Sequence, residues 1–204
     1  VVGAAPSATL MSISTSFGGG PDVEQQLANG LNWAWQNGAH VISNSWGASS
    51  GYTSELIDDA VSAALQDGRN GLGSVVVFAA GNSNDDVGFP ANSNPDVLAV
   101  GAMSPAGERK SPDSCDGEWW WGSCFGDQLD VVAPGVLIPT TDRQGSAGYD
   151  ASDYFLTFNG TSSACPHVAA VAALVLSVDR DLTQQQVSEI IEKNAQKVGG
   201  YHYQ

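Results

Sequence analysis

Basic residues are scarce in this chain of 204 residues: 7 Lys and Arg stand against 22 Asp and Glu, a formal net charge of -15. Such a field repels phosphate backbones, so no nucleic-acid partner is expected. Long apolar runs are missing as well. None reaches 18 residues, and no membrane partner is expected. The first residues, Val1-Val2-Gly3-Ala4-Ala5-Pro6, lack the basic start of a signal peptide. Histidine occurs three times, which leaves few choices for a general base. Cysteine also occurs three times, too few for a disulfide framework. Cys115 and Cys124 bracket an irregular loop without histidine, which argues against a zinc ribbon and for one short-range disulfide. That bridge would restrain the unfolded loop by roughly 2–3 kcal/mol and would imply an oxidising, extracellular setting. Cys165 is then left as a small buried filler.

What is present suits one domain over residues 1–204. With 42% hydrophobic and 14% charged residues the chain can bury a sizeable core. Strand-like and helix-like periods alternate, the pattern of βαβ units with a parallel sheet. Strands are predicted at 8–13, 40–45, 74–79 and 97–101, then at 129–132, 135–140 and 154–158, the last pairing with its predecessors. Helices are predicted at 21–37, 54–67 and from Ser162 to about Leu176. Thr183 and Gln186 form a capping box that opens a final helix. Between them, residues 104–126 are loop-rich and hold three consecutive tryptophans, Trp119, Trp120 and Trp121, expected to pack beneath the disulfide rather than to form a contact surface.

Acyl-transfer chemistry needs a nucleophile, a base, an orienting group and donors for the tetrahedral oxyanion. Ser162 follows Asn159-Gly160-Thr161 and opens an Ala/Val-rich helix, so its hydroxyl sits among unpaired backbone N–H groups at the positive end of a helix dipole. Asn82, just past the carboxyl end of a buried strand, stands where open α/β sheets place ligands. No base accompanies them. His167 lies five residues beyond Ser162, about 140° around the helix, so the two side chains point apart. His40 begins a strand and His202 lies near the end of the chain. The near match of Gly160-Thr161-Ser162-Ser163-Ala164 to an α/β-hydrolase elbow fails, because that fold needs its Asp and His after the serine. Asn159-Gly160-Thr161 also fits a glycosylation acceptor, but a glycan there would block the nucleophile.

These residues resemble a known family. Gly160-Thr161-Ser162-Ser163-Ala164-Cys165-Pro166-His167-Val168 is similar to the nucleophile signature of subtilisin-like serine proteases. Val41-Ile42-Ser43-Asn44-Ser45-Trp46-Gly47 resembles that family's substrate-pairing strand, and Ala79-Ala80-Gly81-Asn82 its oxyanion loop. The agreement begins at Ala5-Pro6 and continues through Val87–Ala91, Val97–Gly101 and Ala133-Pro134-Gly135. The resemblance implies an α/β fold, a subtilisin-like three-layer sandwich whose mostly parallel sheet carries helices on both faces. It implies Ser162 as nucleophile and Asn82 as oxyanion donor, with Ser45, Trp46 and Gly47 along the substrate chain. Gly81 and Gly88 would line the primary pocket and leave room for a large side chain. The expected substrate is a protein or peptide, outside the cell, and the chemistry requires no cofactor. A structural calcium ion is compatible with the family, though no spacing here identifies its ligands. In that family the order of the triad is Asp, His, Ser. The Asp and His segments are not found in this sequence, so the fold is expected to be incomplete on its N-terminal side and to be completed by that segment.

Overall fold

The computed structural model describes residues 3–15 and 20–198. A four-stranded parallel sheet forms its centre, from β1 (Val41–Asn44), β2 (Val75–Ala79), β3 (Leu98–Met103) and β4 (Val131–Pro134), in the order β1-β2-β3-β4. Every residue of β2 is buried, because layers cover both faces of the sheet. Alternation then decides which side chain goes where. Val76 and Phe78 point into one hydrophobic cluster, with Ala28, Leu31 and Ala34 of α1 (Val23–Gln36) and Ile57, Val61 and Leu65 of α2 (Glu55–Gly71). Val75, Val77 and Ala79 point into the other, against Ala164, Val168, Ala172 and Leu176 of α3 (Thr161–Val178) and Val187 of α4 (Gln184–Asn194).

Local sequence explains where these elements stop. The regular part of α2 ends at Gly68, after which Arg69 and Asn70 take left-handed φ angles of 53° and 58°. The Arg69 guanidinium pins this turn by donating to the carbonyls of Gly73, Arg180 and Leu182 at 3.1, 2.6 and 2.8 Å. The expected capping box of α4 forms, with Gln186 N–H on Thr183 Oγ1 at 3.2 Å and Thr183 N–H on Gln186 Oε1 at 2.8 Å. The helix α3 is long and apolar enough by composition to cross a membrane, yet it lies along the sheet and touches all four strands. It is a core helix here.

Three expectations need correction. Residues 8–13 are not a strand: no ladder partner exists among the described residues, and Leu10, Met11 and Ile13 stay 90%, 40% and 39% exposed. The apolar pattern was read correctly, but a strand exists only where a neighbour takes its N–H and C=O groups. Secondly, Cys115 and Cys124 are both free, the first exposed and the second buried in the α1–α2 side of the core. The loop is held by a buried cation instead. Lys110, 0% exposed, donates to Asp116 Oδ1 at 3.0 Å, Ser111 O at 2.8 Å and Glu118 O at 2.5 Å, and its ammonium lies 5.3 Å from the Trp121 ring centre. The three tryptophans divide accordingly. Trp121 is buried, with its indole N–H on Glu118 Oε2 at 2.6 Å, whereas Trp119 and Trp120 are exposed. Finally, the strands expected at 129–132 and 135–140 are displaced towards the C-terminus. The first is β4; the second is β5 (Ile138–Thr141), which pairs antiparallel with β6 (Tyr154–Phe158) in a separate ribbon. The pairing of β5 with β6 was expected, but β4 pairs with β3 rather than with β6, and most of β6 lies exposed, including Tyr154, Leu156 and Phe158.

Candidate active site

Parallel strands deliver their loops to one end of the sheet. Residues 45–50 follow β1, residues 80–89 follow β2, and both meet the first turn of α3 around a cleft of about 680 Å³. Ser45, Trp46, Gly47, Gly81, Asn82, Gly88 and Ser162 all line it, so the structure brings together every site residue expected from the sequence.

Ser162 stands at the second position of α3. Gly160, with φ 112° and ψ 162°, turns the chain into the helix in a conformation that L side chains rarely adopt, and its N–H is held by Gly135 O at 2.9 Å. The hydroxyl of Ser162 donates to Ser45 O at 3.1 Å, while Ser45 Oγ donates to Ser162 O at 2.8 Å. These reciprocal bonds lock the turn after β1 to the start of α3.

Asn82 is oriented by a residue to which the sequence reading gave no role. Thr161, fully buried, donates both its backbone N–H and its hydroxyl to Asn82 Oδ1, at 2.8 and 3.0 Å. The same hydroxyl accepts the Gly81 N–H at 3.2 Å. With its oxygen held this way, the Asn82 amide keeps its NH2 as the free end, beside Gly160, where an added Cβ would lie 3.4 Å from Nδ2. The signal available in the sequence was a small hydroxyl residue directly before the nucleophile, one turn-residue from glycine.

The cleft glycines are needed for a different reason from the one expected. A Cβ at Gly88 would run into the Ala48 carbonyl oxygen, and one at Gly47 would come within 2.8 Å of Phe89 O. At Gly81, φ is 110° and a Cβ would sit 2.9 Å from Cys124 Sγ. Gly47 and Gly88 serve close backbone packing between the cleft walls, which Ala48 N–H on Phe89 O at 2.8 Å and Gly88 N–H on Ala80 O at 2.9 Å hold together, whereas Gly81 makes room for the Cys124 sulfur. Trp46 likewise turns its ring onto Phe78, edge to face at 5.0 Å, and so anchors the wall in the core.

No histidine lines the cleft among the described residues. His167 bonds the Ser163 carbonyl through Nδ1 at 2.8 Å and faces a groove against α4 and β4. His40 lies at the opposite end of β1, where burial and the charges of Arg69 and Arg180 hold its pKa below the ordinary value. His202 lies outside the described residues. Nor do the described residues hold any group of three His, Cys, Asp or Glu that would bind a metal ion. Burial raises the Cys165 thiol pKa, against the opposing pull of Ser43, Asn44 and Ser45, as expected for an inert filler under the site.

A parallel α/β sheet here brings a serine at a helix mouth and an amide fixed beside it to one cleft, groups of the kinds that acyl transfer uses. The chain belongs to the subtilase family, whose profile matches residues 1–203. Its fold is subtilisin-like. It is 36% identical over 210 residues to subtilisin E of Bacillus subtilis, across 100% of this chain and 48% of that protein. It is 34% identical over 222 residues to a calcium-dependent protease of Nostoc sp., across 96% of this chain and 32% of that one. Among solved structures, proteases from Pseudoalteromonas arctica superpose with a TM-score of 0.70 at 30% identity, covering 84% of this chain and 52% of theirs. A cold-adapted subtilisin-like serine proteinase gives 0.65 at 32% identity, over 89% and 57%. The chain thus spans about half the length of the subtilisin it matches.

Proposed function

We propose that the protein is a serine endopeptidase that cleaves peptide bonds through an acyl-enzyme on Ser162. This chain would be the part of one catalytic domain that carries the nucleophile and the oxyanion site. One observation carries the reading: the Thr161-held amide of Asn82 lies beside the helix turn that bears Ser162, and both face one cleft. Ser162 Oγ attacks the carbonyl carbon of a peptide bond laid along Ser45–Gly47. The carbonyl oxygen becomes an anion and takes hydrogen bonds from Asn82 Nδ2 and the Ser162 N–H, at the positive end of α3. Collapse expels the amine and leaves an ester on Ser162, which water then hydrolyses.

The proton of Ser162 must pass to a base. We assign the base and its orienting carboxylate to a segment not contained in this sequence, in the family's order of Asp, His and Ser. Three facts support that division: no described histidine reaches the cleft, residues 8–13 have no ladder partner among the described residues, and the chain covers half of its subtilisin relative. The missing segment is then the partner this chain needs, and the chain alone would be inactive.

Calcium stands only in the name of one relative, and no residue here is assigned to it. An extracellular location rests on family membership, since the cysteines that suggested it are unpaired. A non-catalytic peptide-binding module is the rival reading, favoured by the absence of a described histidine from the cleft. Fluorophosphonate labelling of the full-length protein separates the two. Ser162 should be labelled and Ser162→Ala should lose both label and peptide hydrolysis; a full-length protein that binds peptide but takes no label would establish the binding module.

A further inference from the structure

Pro166 lies inside α3, four residues after Ser162. In a regular helix the N–H of that residue would donate to the Ser162 carbonyl, but proline has no N–H, and its ring pushes against the same carbonyl. The carbonyl of the nucleophile is therefore the one acceptor in the first turns of α3 that the helix itself cannot satisfy. The structure shows what takes the place of the missing donor: Ser45 Oγ, on the turn after β1, at 2.8 Å. The residues are 117 apart in sequence, so the bond reports a tertiary arrangement.

From this geometry we infer that the Ser45 side chain is a positioning residue for Ser162, acting as the surrogate helix donor that Pro166 removes. Its role differs from any contact that the Ser45 backbone makes with substrate. The hydroxyl fixes the Ser162 carbonyl and hence the backbone torsions that aim Oγ into the cleft. Without it the carbonyl either turns to water or draws the turn away from the helix axis, and Oγ moves with it. The same bond explains how a helix tolerates proline so close to its functional end: the carbonyl left without a helix donor is taken by Ser45.

The inference rests on Ser162 being the nucleophile, and its test is arranged so that the two can fail separately. In the full-length protein, Ser45→Ala should lower kcat and the rate of fluorophosphonate labelling roughly tenfold, with KM unchanged. Ser45→Thr, which keeps the hydroxyl, should keep the rate. Pro166→Ala restores the helix N–H, so Ser45→Ala made in that background should recover most of the loss. A merely structural hydroxyl would not give rescue by a residue one helical turn beyond the nucleophile. Equal loss in both backgrounds, or no loss in either, overturns the proposal. If the full-length protein takes no label at all, the endopeptidase reading fails instead. The thermal cycle then decides: Ser45→Ala should lower Tm with proline at 166 and leave it unchanged with alanine there, and additive shifts would overturn the inference.

Discussion

At the residue scale, the proposed nucleophile Ser162 and the Asn82 amide depend on Thr161, whose N–H and hydroxyl hold Asn82 Oδ1 at 2.8 and 3.0 Å. Ser162 and Asn82 announce themselves by their neighbours: a glycine turn before a helix, and an amide after a buried strand. Thr161 carried no such mark, because its role depends on an oxygen 79 positions away that folding brings to 2.8 Å. It leads to a graded expectation. Removing the donor itself, by Asn82→Leu, should reduce kcat by about 10²–10³, the size that subtilisin itself shows for its oxyanion asparagine. Thr161→Val removes only the hydroxyl that orients Asn82 and holds the Gly81 N–H, so kcat should fall less, about tenfold, with KM nearly constant. Thr161→Ser should keep the rate. Steady-state kinetics on one peptide substrate measures all three. The cleft glycines teach the converse lesson. The room expected at Gly81 and Gly88 is limited by a sulfur 2.9 Å and a carbonyl oxygen 2.3 Å from where a Cβ would stand.

At the element scale, helices were read almost to the residue and one strand was not there at all. A helix satisfies its own backbone groups, so period and caps suffice; α2 stops at Gly68 and α4 starts at its capping box for local reasons. A strand needs a second strand, and residues 8–13 have none among the described residues. The loop 104–126 misled for a related reason: two cysteines near each other in sequence suggested a bridge, while the buried ion pair of Lys110 and Asp116 is invisible to spacing. Titration with a thiol reagent discriminates. The native protein should expose one reactive thiol, Cys115, and three should appear in denaturant without reductant. Lys110→Met strips Asp116 of its buried partner, which typically costs about 3–5 kcal/mol. That variant should open the loop and let Cys124 react in the native state; continued protection of Cys124 would show that the ion pair does not hold the loop.

At the scale of the whole molecule, one partly desolvated acid, Asp130, gives stability a pH dependence of unusual sign. Burial pushes the Asp130 pKa up from 3.8 to about 6, opposed by the Ala99 N–H and aided by the charge of Glu192 on α4. Its folded pKa exceeds the unfolded one, so the folded state binds the extra proton between these values. The stability it contributes is complete below about pH 4 and lost as pH rises to about 6. Asp130→Asn keeps an oxygen for Ala99 and cannot ionise. Chemical denaturation across this range should find wild type and variant alike near pH 4, and the variant the more stable above pH 6; parallel curves would contradict the assignment.

For the proposed endopeptidase, the ribbon of β5 and β6 has a consequence for its life among copies of itself. Among the described residues these strands pair only with each other, and with Leu156 and Phe158 turned to water they form a segment that another molecule's cleft can draw in. Self-digestion should therefore begin between Asp142 and Phe158. The nick would fall just upstream of Ser162 and free the turn at Gly160 that sets the serine, while α3, packed on all four strands, would stay docked. One cut would then silence the enzyme while most of its sheet remained folded, so the clock for its activity would run ahead of the clock for its unfolding.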